Sequence, residues 1–153
     1  MHGAAGKRAL RVVVALGTLA SFAAARSGAE LAVYAHGDAP FLDLALAERL
    51  MALHRKYRAE YTYADGYPAG FSPEILSTRV LPNLAELAGR HDTPAERDGL
   101  FAVIQKDINS YDIETELSPL DLRSYRLSPV CDTRRNFMAA EALYAKGCRS
   151  AED

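Results

Sequence analysis

EYTYADGYPAGFSPE, residues 60–74, sets Tyr61, Tyr63, Tyr67 and Phe71 around two turn signals, Asp65-Gly66 and Pro68-Ala69-Gly70. Glycine supplies the positive φ that tight turns need, and proline presets the turn backbone. Turn chemistry this dense predicts a loop at the surface, because a buried one would leave its amides without partners. Yet the segment holds three of the eight tyrosines, whose rings suit either a lid over a core or a contact surface. Spacing divides the four aromatics. Tyr61 lies one turn beyond Tyr57, and Phe71 directly precedes Ser72, where an apolar residue staples a helix start. These two are read as structural. Tyr63 and Tyr67, on either side of Asp65-Gly66, have no such anchor and are the candidate partner contacts.

The flanks read as helices. Before the loop, Asp38 and Pro40 resemble a helix start, and Leu42, Leu46, Leu50, Leu53 and Tyr57 draw one apolar stripe. After it, Ser72-Pro73-Glu74 offers a capping hydroxyl and an acid in the first turn. Leu76, Val80, Leu84 and Leu87 then share a face through Pro82, which predicts a kink at Leu81-Pro82. Thr93-Pro94-Ala95-Glu96 is a capping box opening a helix with Leu100, Phe101, Ile104, Ile108 and Tyr111. Ser118-Pro119 starts a short helix carrying Leu122 and Tyr125, and a last helix runs to Lys146 with Gly147 as its stop. No stretch is read as a strand. The expected fold is all-α, a bundle of roughly four to six helices with one disulfide.

The first residues carry an address. Lys7, Arg8 and Arg11 precede the apolar run Val12–Ala25, which ends in Ala23-Ala24-Ala25, the order of a cleavable export signal. The run is short of the ~20 residues that span a bilayer. Residues 1–25 are therefore expected to be a secretory signal. Residues 26–153 are expected to form a single helical domain, periplasmic or extracellular, with no membrane insertion after cleavage. Past the signal, 15 Lys and Arg face 20 Asp and Glu. That acidic balance argues against a nucleic-acid partner, which needs a basic footprint.

Export puts Cys131 and Cys148, the two cysteines, in an oxidising compartment. A disulfide needs Cα atoms within ~7 Å, whereas a straight helix across the whole gap would hold them ~25 Å apart. A Cys131–Cys148 bond thus requires the last helix to begin late, near Phe137, with Asn136 as its cap. Other chemistry is sparse. His36, His54 and His91 form no metal motif, and no GxSxG elbow or glycine-rich phosphate loop is present. Asp112, Glu114 and Glu116 read as a solvated acidic face. No catalytic residue, metal site or cofactor is expected from these motifs.

Ala47-Glu48-Arg49-Leu50, Ser72-Pro73-Glu74 with Val80-Leu81, and Leu100-Phe101-Ala102-Val103-Ile104 together resemble the all-α chorismate mutases over residues 44–113. The resemblance implies a helical scaffold with an export signal, a C-terminal disulfide and a pocket for a dianion. Arg49 would match the arginine of the first helix and Glu74 the glutamate opening the second. The family's lysine would fall at Glu60, the arginine before the glutamate at Pro73, and the polar pair at Ile108 and Asp112. Acids and apolar groups there reverse the electrostatics such a site depends on. Arg49 and Lys56, seven residues apart on one helix face, remain as an anion-binding pair. The expected function is a secreted helical binding protein, of inhibitor or immunity type, that masks another protein. The alternative is a chorismate-mutase-like enzyme or anionic small-ligand binder using Arg49, Lys56 and Glu74.

Overall fold

The computed structural model describes residues 28–92, 99–150 and 153. The export signal of residues 1–25 and the Thr93–Glu96 capping box lie outside the described residues. The chain is α/β, not all-α. Strands β1 (Leu31–Tyr34), β2 (Tyr61–Asp65), β3 (Glu74–Ser77) and β4 (Ile113–Leu117) form a four-stranded sheet in the order β1-β3-β2-β4. Four helices accompany it among the described residues: α1 (Leu44–Tyr57), α2 (Leu81–Arg90), α3 (Gly99–Ile104) and α4 (Arg134–Ala145). The sheet is mixed, since β3 runs antiparallel to both β1 and β2 while β4 lies parallel to β2. This architecture also removes the chorismate mutase scaffold, which has no sheet.

Residues 60–74 are thus two strands and the turn between them. Period-2 alternation explains β2. Tyr61 and Tyr63 point to one face with Leu76, Val80, Leu84, Val103 and Ile104, while Ala64 points to the other with Val33, Leu46, Leu50 and Ile75. The Ser72-Pro73-Glu74 helix start is instead the entry to β3, where Tyr34 pairs with Glu74 and Val33 with Ile75. Ile75 and Leu76 are both buried, one on each face. The helix begins only at Leu81, after a 3-10 turn over Thr78–Val80, so Pro82 sits in a first turn and kinks nothing. Helix α1 begins later than Asp38 and Pro40 suggested: Asp43 is its cap, its Oδ1 accepting from Leu46 N at 3.0 Å. The stripe through Leu46 and Leu50 then covers the sheet. Past α3 the chain tightens into a 3-10 segment, Gln105–Ser110, broken at Asp107. The expected short helix after Ser118 is a single 3-10 turn, Arg123–Tyr125.

No disulfide links Cys131 and Cys148; both are free. The cause is the cap of α4. Thr133 Oγ1 accepts from Asn136 N at 3.2 Å, so the helix starts at Arg134 rather than near Phe137. Its 12 residues hold its ends ~18 Å apart, well beyond disulfide reach. Cys131 N donates to Asp38 O before the helix, and Cys148 N to Leu143 O after it. An alkylating reagent should therefore add two groups to the native protein without reductant, faster at exposed Cys131 than at half-buried Cys148. A mass unchanged until reductant is added would restore the disulfide.

Candidate functional site

Strands β1, β2 and β4 point the same way, so their C-terminal ends share one edge of the sheet with the start of β3. In open α/β sheets, ligands gather outside the carboxyl ends of the strands, where loops leave free backbone and side chains. Three segments meet at this edge: 35–43 after β1, 66–73 between β2 and β3, and 118–133 after β4. The last of these wraps the edge. Ser118 N donates to Asp65 O at 2.8 Å, Leu122 N to Gly66 O at 3.1 Å, and Cys131 N to Asp38 O at 2.8 Å. The turn between β2 and β3 is tied in by Asp43 N, which donates to Phe71 O at 2.8 Å, and by Phe71 stacked on Phe41 at 5.7 Å.

The Cys131–Asp38 bond brings two aspartates from distant parts of the chain together. Asp132 follows the donor and Asp38 carries the acceptor, so their Cα atoms stand no more than about 10 Å apart. Asp38 is half-buried just past β1. Asp132 leads into α4, and its Oδ1 accepts from Asn136 Nδ2 at 2.8 Å. Two aspartates so close can present oxygens to one cation. Among the described residues no group of three or more His, Cys, Asp or Glu gathers for a metal. Any cation here would have to draw further ligands from water or a substrate. Beside them, Tyr34 meets His36 edge to face at 5.1 Å.

The residues singled out from sequence fall into three places. Arg49, on the exposed face of α1, pairs with Glu116 of β4 at 2.9 Å, and Tyr67 OH reaches the same oxygen at 3.4 Å. Tyr63 is half-buried in β2, its ring stacked on Tyr61 at 5.4 Å and tilted against Phe101 at 5.5 Å. Glu74 stands at the head of β3 and accepts from Tyr61 OH at 2.6 Å. Lys56 is at the far end of α1, over the Tyr57 ring at 4.7 Å. Arg49 and Tyr67 thus meet at Glu116, Tyr63 and Glu74 meet at Tyr61, and Lys56 joins neither. Asp38 and Asp132 went unread as site residues. Their signal is the strand-like run LAVYA, followed by Gly37-Asp38 and then a helix, the pattern of a βα unit with an acid at the strand's end.

No protein-family model matches the chain. A stretch of 50 residues is 46% identical to an uncharacterized protein of Treponema pallidum (strain Nichols), covering 33% of this chain and 23% of that protein. Over 110 residues the chain is 24% identical to the spore coat polysaccharide biosynthesis protein SpsF of Bacillus subtilis (strain 168), covering 72% of this chain and 45% of the relative. Among solved structures, a cytidylyltransferase from Leptospira borgpetersenii serovar Hardjo-bovis (strain JB197) superposes with a TM-score of 0.65 at 17% identity. That match covers 82% of this chain and 53% of the other. The chain therefore spans about half the length, or less, of the proteins it matches. The α/β fold is that of the cytidylyltransferase. These likenesses overturn the helical inhibitor or immunity protein, and with it the chorismate-mutase-like alternative.

Proposed function

We propose that the chain is a nucleotidyltransferase-type enzyme, or the part of one, that transfers a cytidylyl group from CTP to an acceptor hydroxyl. The observation that supports this reading is the Cys131–Asp38 hydrogen bond, which brings the backbones of Asp38 and Asp132 close together at the strand-end edge of a cytidylyltransferase-like sheet. In such a transfer the acceptor oxygen bonds to the α-phosphorus, the bond to the bridging oxygen breaks, and pyrophosphate leaves. Negative charge builds on the leaving group, and catalysis is mainly positioning and electrostatic stabilisation.

The two aspartates fit a magnesium-like cation. Carboxylates are the hard oxygen donors it takes, and magnesium is commonly held by one or two of them plus substrate phosphates and water. Bound there, the cation would neutralise phosphate charge. Asp38 and Asp132 would hold it, and Asn136, donating to Asp132, would fix that carboxylate's direction. The name of the Bacillus relative supports a sugar as the acceptor.

Titration of the purified chain with CTP and magnesium should release heat, with GTP and ATP weaker. Adding an acceptor from a panel of sugars and sugar acids should release pyrophosphate. Folded protein that binds no nucleoside triphosphate at millimolar concentration, with magnesium present, would sink the reading.

A further inference from the structure

We infer that Gly70 is the positioning residue of this site: its missing side chain lets the Asp38 and Asp132 segments close on each other. The inference rests on the two-aspartate reading above. Gly70 has φ +91°, and a Cβ built on it would lie 2.5 Å from Val130 Cγ1 and 3.3 Å from Ala39 Cβ. Those two neighbours are the keys to the site. Ala39 directly follows Asp38, and Val130 is two residues before Asp132. Between them runs the 2.8 Å bond from Cys131 N to Asp38 O. Gly70 thus sits against the seam that joins the two acidic segments.

A side chain at this position cannot be relieved cheaply by the turn itself. Phe71 is buried and stacked on Phe41, and its carbonyl is held by Asp43 N. Pro68 before the glycine and Pro73 after it are also buried. Val130 is fully buried beside buried Pro129, so its Cγ1 is a packed methyl and not the free end of a long side chain. A methyl contact at 2.5 Å must therefore push Val130 or Ala39, and either motion stretches the Cys131–Asp38 bond. The consequence is a separation of the aspartates with the two clusters on either face of the sheet left in place.

The test uses manganese(II), a spectroscopic stand-in for magnesium at oxygen sites, and the full chain. Electron paramagnetic resonance of free manganese gives its dissociation constant, and thermal melting follows folding. Wild type should bind manganese, and Asp38→Asn should weaken it. Gly70→Ala should weaken it at least about tenfold, in line with the loss expected when a group that orients metal ligands is changed. Adding Val130→Ala to Gly70→Ala removes the clashing methyl. The double variant should bind manganese more tightly than Gly70→Ala alone, a non-additivity that two residues in contact are expected to show, with a residual loss from the strain of a side chain at φ +91°. Ala39→Val crowds the same seam with Gly70 intact, and should weaken binding even if Gly70→Ala does not fold. Unchanged manganese affinity in Gly70→Ala or in Ala39→Val overturns the inference, as does a folded double variant no better than Gly70→Ala. Wild type that binds no manganese, or an affinity indifferent to Asp38→Asn, overturns the two-aspartate reading and this inference with it.

Discussion

The Asp132→Asn protein should release pyrophosphate from CTP at least about 10²-fold more slowly than wild type, the usual scale for losing one preorganised electrostatic group. It should melt within a few degrees of wild type. The two outcomes separate because the change is isosteric. The amide oxygen of the new residue can still accept from Asn136 Nδ2, as Asp132 Oδ1 does at 2.8 Å. The cap of α4 belongs to Thr133 and is untouched. What disappears is the negative charge that would help hold the cation. Asp38→Asn should act alike, with Cys131 N still bonded to the backbone oxygen of residue 38. Because both aspartates would serve one ion, the double variant should fall little below either single one. Full activity in Asp132→Asn would remove the aspartate pair from the chemistry, whatever the fold resembles.

Helices were more legible than strands in this chain, and the reason is burial on both faces. Leu46 and Leu50 repeat at helical spacing because only one face of α1 meets the sheet, and Leu84 and Leu87 do the same in α2. Strand β3 has helices over both faces, so Ile75 and Leu76 are apolar side by side and no alternation is visible. Placed after Ser72-Pro73, such a pair imitates a helix start. Strand β4 does alternate, Ile113-Glu114-Thr115-Glu116-Leu117, yet its acids disguise it. Glu116 is drawn toward α1 by Arg49, whereas a run of acids in isolation reads as solvated surface. The site was harder still. Asp38 and Asp132 are 94 positions apart in the sequence and are brought near each other by the backbone bond from Cys131 N to Asp38 O, which side-chain spacing cannot foretell. The disulfide failed on one residue of capping: Thr133 takes the cap that Asn136 needed to take for the cysteines to meet.

A second large effect is expected from pH, through His54. Its ring is 2% exposed on the underside of the sheet, with Nδ1 2.8 Å from Thr62 Oγ1 and Nε2 3.1 Å from Ser77 Oγ. Ser77 spends its hydroxyl proton on Ala59 O at 2.8 Å. Its oxygen must therefore accept from Nε2–H, which leaves Nδ1 as a lone pair for the Thr62 hydroxyl. The neutral ring thus satisfies both neighbours, and a second proton at Nδ1 would oppose the Thr62 donor. Burial, followed by the charges of Arg55 and Arg79, pushes the imidazole down from 6.5 to about 4. With the folded value below the unfolded one, the unfolded chain binds the extra proton in the window between pH 6.5 and 4. Stability is then fully present above the upper value and falls as pH drops through the window. Between pH 7 and pH 5, where ordinary carboxylates are still mostly ionised, this one group should remove about 2 kcal/mol. Urea denaturation at the two pH values measures it. His54→Gln keeps a donor and an acceptor in place without a titrating ring, so its stability should change by about 2 kcal/mol less between those pH values than wild type does. Equal pH dependence in the two proteins would mean that His54 takes up its proton in the folded state as readily as in water. The polar link from α1 to β2 and β3 would then not depend on a neutral ring.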